Sequence, residues 1–336
     1  MAAIAPCGVQ TARFRADTVT EETPGYRPSG PLDPVADQLV QFFAADPGWQ
    51  ALMSTPLPLV REGMRAAAVM TGEPEMQSVE DYPVPVDGGE ISLRLYTPLC
   101  ETEFVVVWAH GGGFALGSLD EADNFVRALA VECKAIVASV DYRLAPEHKF
   151  PTAVDDLQAA ALWAARNVPE LAGAKLRLVL GGDSAGANLA TVVTRRLHRT
   201  DEVKVAANLL AYPGTDSPDA PSLRRFESPF LGIREIAYFL DSYLPDEASR
   251  THPDFAPLYA DNLDLLPPTF VLTAEYDILT EQAESYAAKL SEAGVPVTMH
   301  RYPGMIHGFL TLDPFLPDAS AQVLGKWRQF MEGLPE

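Results

Sequence analysis

From residue 79 onward the chain alternates between two apolar rhythms. Residues 82–86 and 91–95 place apolar side chains at every second position within the segments 79–86 and 91–96, on either side of Asp87-Gly88-Gly89. That pattern predicts an antiparallel hairpin. Continuous apolar runs follow at 104–109, 135–141, 176–180, 206–211, 269–273 and 297–302. Between them lie helical patterns at 124–132, 153–165, 185–197, 282–293 and 323–331. Strands that are apolar on both faces and alternate with helices predict an α/β fold whose mostly parallel sheet is covered on both sides. Such sheets bind ligands outside the carboxyl ends of their strands.

The flanking segments read differently. The first thirty residues are rich in Pro, Thr, Gly and Glu without a period, and read as an irregular arm. Asp33-Pro34 and Asp46-Pro47 each mark a helix start, because Asp caps free amides and Pro lacks the amide that the first turn cannot use. Val35, Leu39, Phe42 and Phe43 form one apolar stripe, and Leu57, Val60, Met64 and Ala68 another. The connection from 212 to 268 is too long to be structureless in a compact domain, and Ile233, Ile236, Ala237, Leu240 and Leu244 form a third stripe within it. The organisation expected is an N-terminal arm and cap helices (1–75), an α/β domain in two parts (76–214 and 256–336), and a cap insertion (215–255) folded over the carboxyl edge.

Composition narrows the partners. With 46 acidic and 25 basic side chains the formal net charge is −21, which disfavours nucleic acid and anionic membranes. No apolar run approaches the roughly 20 residues of a membrane span, so no integral membrane association is expected. Cys7, Cys100 and Cys133 form neither a disulfide framework nor a metal motif, and the N-terminus lacks a secretory leader pattern. A cytoplasmic setting and no metal are the expectations.

The chemistry centres on Gly182-Asp183-Ser184-Ala185-Gly186, which joins an apolar strand to a helix. The bare pattern arises by chance; the strand before and helix after it are what make it informative. A sharp strand-to-helix turn projects its corner residue above the sheet, tolerates only small neighbours, and sets the Ser184 hydroxyl at the positive end of the helix. His110-Gly111-Gly112-Gly113 directly follows another strand. The amides of Gly112, Gly113 and Ala185 can therefore form an oxyanion hole. A phosphate cradle is set aside because neither Gly-Lys-Ser/Thr nor Gly-x-Gly-x-x-Gly occurs there. A serine hydroxyl needs a base, and the base an orienting carboxylate. Of the histidines after Ser184, His252 falls in the insertion and His300 within a strand, whereas His307 follows the last strand. Asp277 lies just past a strand end, with Glu275 as its competitor. Trp49, Phe114 and Phe42 are candidates to line the substrate pocket.

With these residues in hand, the chain resembles the hormone-sensitive-lipase family of esterases, in the bacterial branch bearing Gly-Asp-Ser-Ala-Gly. The likeness runs from His110-Gly-Gly-Gly-Phe114 through Asp141-Tyr-Arg-Leu-Ala-Pro-Glu147, Phe150-Pro-Thr-Ala-Val-Asp-Asp156 and residues 182–188 to Gly304-Met-Ile-His-Gly-Phe309. It implies an α/β-hydrolase fold with a helical cap, cofactor-free hydrolysis of short- to medium-chain carboxylic esters, and a homodimer. His110, Asp141, Arg143 and Glu147 resemble the family's scaffold residues. The family's Asp-Pro-Leu at the acid reads Asp277-Ile278-Leu279 here. Two other readings share parts of this pattern: a small-molecule receptor on the same scaffold, which His307 argues against, and a hydrolase of amides or lactones.

Overall fold

The computed structural model describes residues 27–200 and 203–335, so most of the arm read at 1–30 lies outside the described residues. The strands are β1 (Met76–Val86), β2 (Gly89–Pro98), β3 (Phe104–Ala109), β4 (Ala135–Asp141), β5 (Arg177–Asp183), β6 (Val205–Ala211), β7 (Thr269–Tyr276) and β8 (Val297–Ile306). They form one sheet in the order β1-β2-β4-β3-β5-β6-β7-β8. Only β2 runs against the rest, pairing antiparallel with β1 and β4. The mostly parallel sheet read from the apolar runs is therefore the one observed.

The helices are α1 (Pro34–Ala45), α2 (Pro47–Ala51), α3 (Leu57–Ala67), α4 (Leu119–Glu132), α5 (Thr152–Ala172), α6 (Ala185–Thr200), α7 (Ile233–Tyr243), α8 (Thr280–Glu292) and α9 (Pro317–Glu332). Alternation along the strands divides the core in two. Val105, Val107, Leu178 and Leu180 face Leu157, Leu189 and Tyr286 of α5, α6 and α8. Val106, Trp108, Val179 and Leu209 face Phe125, Leu129 and Trp327 of α4 and α9. Successive strand residues point to opposite faces, so a strand buried on both sides must be apolar throughout.

Both Asp-Pro helix starts form. Asp33 accepts the amides of Val35 at 2.8 Å and Ala36 at 3.2 Å, and Asp46 accepts that of Trp49 at 2.7 Å. The stripe of α1 is turned from the expected one: Ala36 and Leu39 are buried, while Val35 and Phe42 are 41% and 65% exposed. Phe43 shares the inward flank with Ala36 and Leu39, spaced i, i+3, i+7, and Phe42 falls on the next flank. The long connection after β6 holds α7 and four short 3-10 turns rather than open loop.

β8 continues through Pro303 and Gly304 to Ile306, beyond the end expected at 302. Being at the sheet edge, it tolerates a residue without an amide. Pairing jumps there, with Ala274 opposite Tyr302 but Tyr276 opposite Ile306, so β8 bulges by two residues. The Glu275 carboxylate takes the Gly304 amide at 2.8 Å, and Gly304 in turn offers its carbonyl to the Asp33 amide at 2.9 Å. The first helix among the described residues, α1, is thus docked on the bulge that precedes His307.

Candidate active site

Ser184 stands between the end of β5 and the start of α6, with φ of 53°. A left-handed backbone costs a residue with a side chain roughly 1–2 kcal/mol, so the surroundings must hold it. The Ser184 amide donates to the Ala211 carbonyl at 2.9 Å, tying the corner to β6. The flanking glycines are required by contact. A Cβ on Gly186 would lie 1.9 Å from the Ala109 carbonyl oxygen, and one on Gly182 would lie 2.4 Å from the Gly186 carbonyl carbon. The ends of β3 and β5 and the first turn of α6 touch through bare backbone.

His307 follows β8 directly and reaches Ser184, with its Nε2 2.8 Å from Ser184 Oγ. Its Nδ1 lies 2.7 Å from Asp277 Oδ2. Because a carboxylate only accepts, Nδ1 carries the proton and Nε2 is left to accept one. Asp277 is 1% exposed, and its other oxygen accepts the Leu279 amide at 2.9 Å. Glu275, the competitor, is spent elsewhere: Oε1 takes the amide and hydroxyl of Ser29 at 2.8 and 2.7 Å, and Oε2 takes Gly304.

The loop after β3 turns back on itself, the Gly112 carbonyl accepting the amides of Ala115 at 3.1 Å and Leu116 at 2.8 Å. Gly112, Gly113 and Phe114 all have positive φ, at 105°, 61° and 62°. From above, α7 closes on this loop. A Cβ on Gly113 would lie 2.5 Å from the Phe239 ring, and Phe114 stacks on Tyr243 with centroids 4.0 Å apart. From below, Asp183 accepts the Gly111 amide at 2.9 Å. Burial pushes the Asp183 carboxyl up to about 7, against the pull of the Gly111 amide and of nearby His307.

These loops surround a cavity of about 350 Å³. Ser184, His307, Gly112, Gly113, Ala185, Phe114 and Trp49 all line it, whereas Asp277 sits behind His307. Phe42 does not line it, pointing to solvent from the outer flank of α1. Phe43 takes that place, in a cluster with Trp49 and Phe230 in which the latter two stack at 4.9 Å and 11°. α7 adds Ile236, Phe239 and Leu240 to the wall. His252 binds the Asp254 amide at 3.1 Å in the connection, and His300 lies on β8 beside the Phe270 ring, its pKa lowered by burial. Phe230 lies outside the helical stripes, so no periodicity marked it. Asp183 was visible in the sequence only as a member of the serine motif, with no role of its own.

Residues 106–311 match a protein family described as alpha/beta hydrolase fold. Esterase LipI of Mycobacterium tuberculosis is 34% identical over 313 residues, 90% of this chain and 94% of its own. Carboxylesterase NlhH of the same species is 38% identical over 262 residues, covering 75% and 81%. The chain belongs to the hormone-sensitive-lipase family of α/β-hydrolases. A solved neighbour, the Pyrobaculum calidifontis esterase, superposes with a TM-score of 0.81 at 36% identity over 90% of this chain and 99% of its own. An arylesterase of Saccharolobus solfataricus is 39% identical over 234 residues, 68% of this chain and 76% of that protein.

Proposed function

We propose that the protein is a serine carboxylesterase acting on short- to medium-chain carboxylic esters. The observation that carries this reading is the unbroken line from Asp277 through His307 to Ser184, with steps of 2.7 and 2.8 Å, ending at the cavity. The names of the relatives, esterases and carboxylesterases, support the same activity.

Ser184 Oγ gives its proton to His307 Nε2 and attacks the ester carbonyl. Asp277 holds the imidazole tautomer and stabilises the imidazolium. The carbonyl oxygen gains negative charge and is received by the amides of Gly112, Gly113 and Ala185. Among the described residues, the Gly112 and Gly113 amides donate to no protein acceptor, which supports their assignment to that oxygen. His307 then protonates the leaving alcohol, and the acyl group stays on Ser184. A water gives a proton to His307 and attacks the acyl carbon, and the proton returns to Ser184 as the carboxylic acid leaves.

The apolar wall from α1, α2 and α7 supports the shorter acyl range and serves as the cap over the reacting centre. The test is hydrolysis of p-nitrophenyl esters of graded chain length by the wild type, Ser184→Ala and His307→Ala. Both variants should lose roughly 10⁴-fold or more in kcat while remaining folded. Full turnover by either would overturn the assignment.

A further inference from the structure

The oxyanion loop is gripped from a direction that the triad does not explain. Arg61 lies in α3, ahead of the sheet in sequence, and its guanidinium is largely buried, with 14% of the side chain exposed. Its Nε donates to the Ala115 carbonyl at 2.8 Å, and Nη2 donates to the Ala145 carbonyl. Glu147 closes the fork, accepting Nη1 at 3.0 Å and Nη2 at 2.9 Å. The Ala145 amide in turn donates to the Phe114 carbonyl at 2.9 Å. Arg61 therefore holds the 112–116 turn twice, directly at Ala115 and through residue Ala145, whose carbonyl it binds and whose amide binds Phe114.

That turn needs holding. Gly112, Gly113 and Phe114 have φ of 105°, 61° and 62°, and Phe114 has a side chain that disfavours this region. A loop whose own preferences oppose its working shape drifts when an outside restraint is lost. A misplacement near 1 Å in an active site costs about 100-fold in rate. Arginine suits the position because its planar fork satisfies a carboxylate and still reaches two carbonyls, which a single ammonium cannot do at once.

We propose that Arg61 is a positioning residue for the oxyanion loop, so that docking of the N-terminal helices is a condition for turnover. This rests on the ester-hydrolase reading above. Its effect belongs to the transition state, because the restrained amides bind the carbonyl oxygen most strongly once it carries charge.

The experiment compares wild type, Arg61→Ala and Arg61→Lys on p-nitrophenyl butyrate, below the melting temperature of each. Arg94→Ala, which removes a guanidinium bound to Asp81 and Asp120 away from the loop, serves as control. Arg61→Ala is expected to lose about 30- to 100-fold in kcat with KM within about threefold. Inhibition by phenylboronic acid, which forms a tetrahedral adduct on the serine, should weaken by a similar factor. Guanidinium at tens of millimolar should return part of the kcat of Arg61→Ala and none in the wild type. Arg61→Lys should fall between the two, and it carries the test if Arg61→Ala does not fold. A folded Arg61→Ala with kcat within about threefold of wild type overturns the proposal. So does a fall in kcat that leaves phenylboronate binding unchanged. Absence of turnover in the wild type itself would instead refute the esterase reading.

Discussion

Glu275 accepts the Gly304 amide at 2.8 Å, bridging β7 and β8 at the bulge between them. Asp277 lies two residues beyond the one and His307 three beyond the other, so this bond sets the spacing of Asp277 and His307. Burial alone would push the Glu275 carboxyl up, but hydrogen bonds from Ser29 and Gly304, with the Arg301 charge, outweigh it and hold it below its ordinary 4.5. A depressed folded-state pKa contributes stability that is present above the ordinary value and is lost as pH falls through the folded one. Glu275→Gln should cost roughly 1–3 kcal/mol at neutral pH, with the gap to wild type closing under acid. Urea midpoints between pH 3 and 7 will measure this.

Gly186→Ala should fail structurally rather than chemically. Its Cβ would sit 1.9 Å from the Ala109 carbonyl oxygen, a backbone atom that cannot swing aside. The variant is expected to lose at least roughly 3 kcal/mol or not to accumulate as folded protein. A denaturant midpoint equal to wild type would contradict the close approach of β3 and α6.

Asp183 carries the opposite pH signature from Glu275. Its folded pKa of about 7 lies above its ordinary 3.8, so the folded state keeps a proton that the unfolded chain has released. Its contribution therefore turns unfavourable as pH rises from about 4 to about 7. Asp183→Asn keeps an acceptor for Gly111 and removes that penalty. The variant should gain on wild type across this window by at most about 4 kcal/mol. Unfolding measured at pH 5 and pH 8 gives the comparison.

The two adjacent phenylalanines of α1 make an internal control. Phe43→Ala opens the cavity wall beside Trp49 and should shift chain-length preference toward longer esters. Phe42→Ala should leave the preference unchanged and stability within about 0.5 kcal/mol, since the ring is 65% exposed. Relative kcat/KM across a p-nitrophenyl ester series decides.

Strands and helices were legible because burial on two faces writes itself into the chain as uninterrupted apolar runs. Ser184, Asp277 and His307 were legible because each follows the carboxyl end of a strand, where the sheet leaves side chains free to converge. Phe42 was misplaced because neighbouring apolar residues satisfy one helical period almost equally well, and only packing chooses the flank. Pro303 and Gly304 read as the end of a strand because their breaker chemistry is local, whereas the edge position that tolerates them is set by the whole sheet. Arg61 left no signal at all. Its partners lie 54, 84 and 86 residues away in sequence, beyond the reach of any periodicity.

The stretch that furnishes Phe43 and Trp49 to the cavity is sewn to the rest at Ser29, Asp33 and Arg61. Those stitches land beside Asp277, beside His307 and on the 112–116 turn. A chimera that imports this stretch from a relative to change substrate range would therefore disturb reactivity as well. Selectivity and turnover share a handle here, and redesign will be cleaner through Phe230 and α7, leaving the N-terminal seams in place.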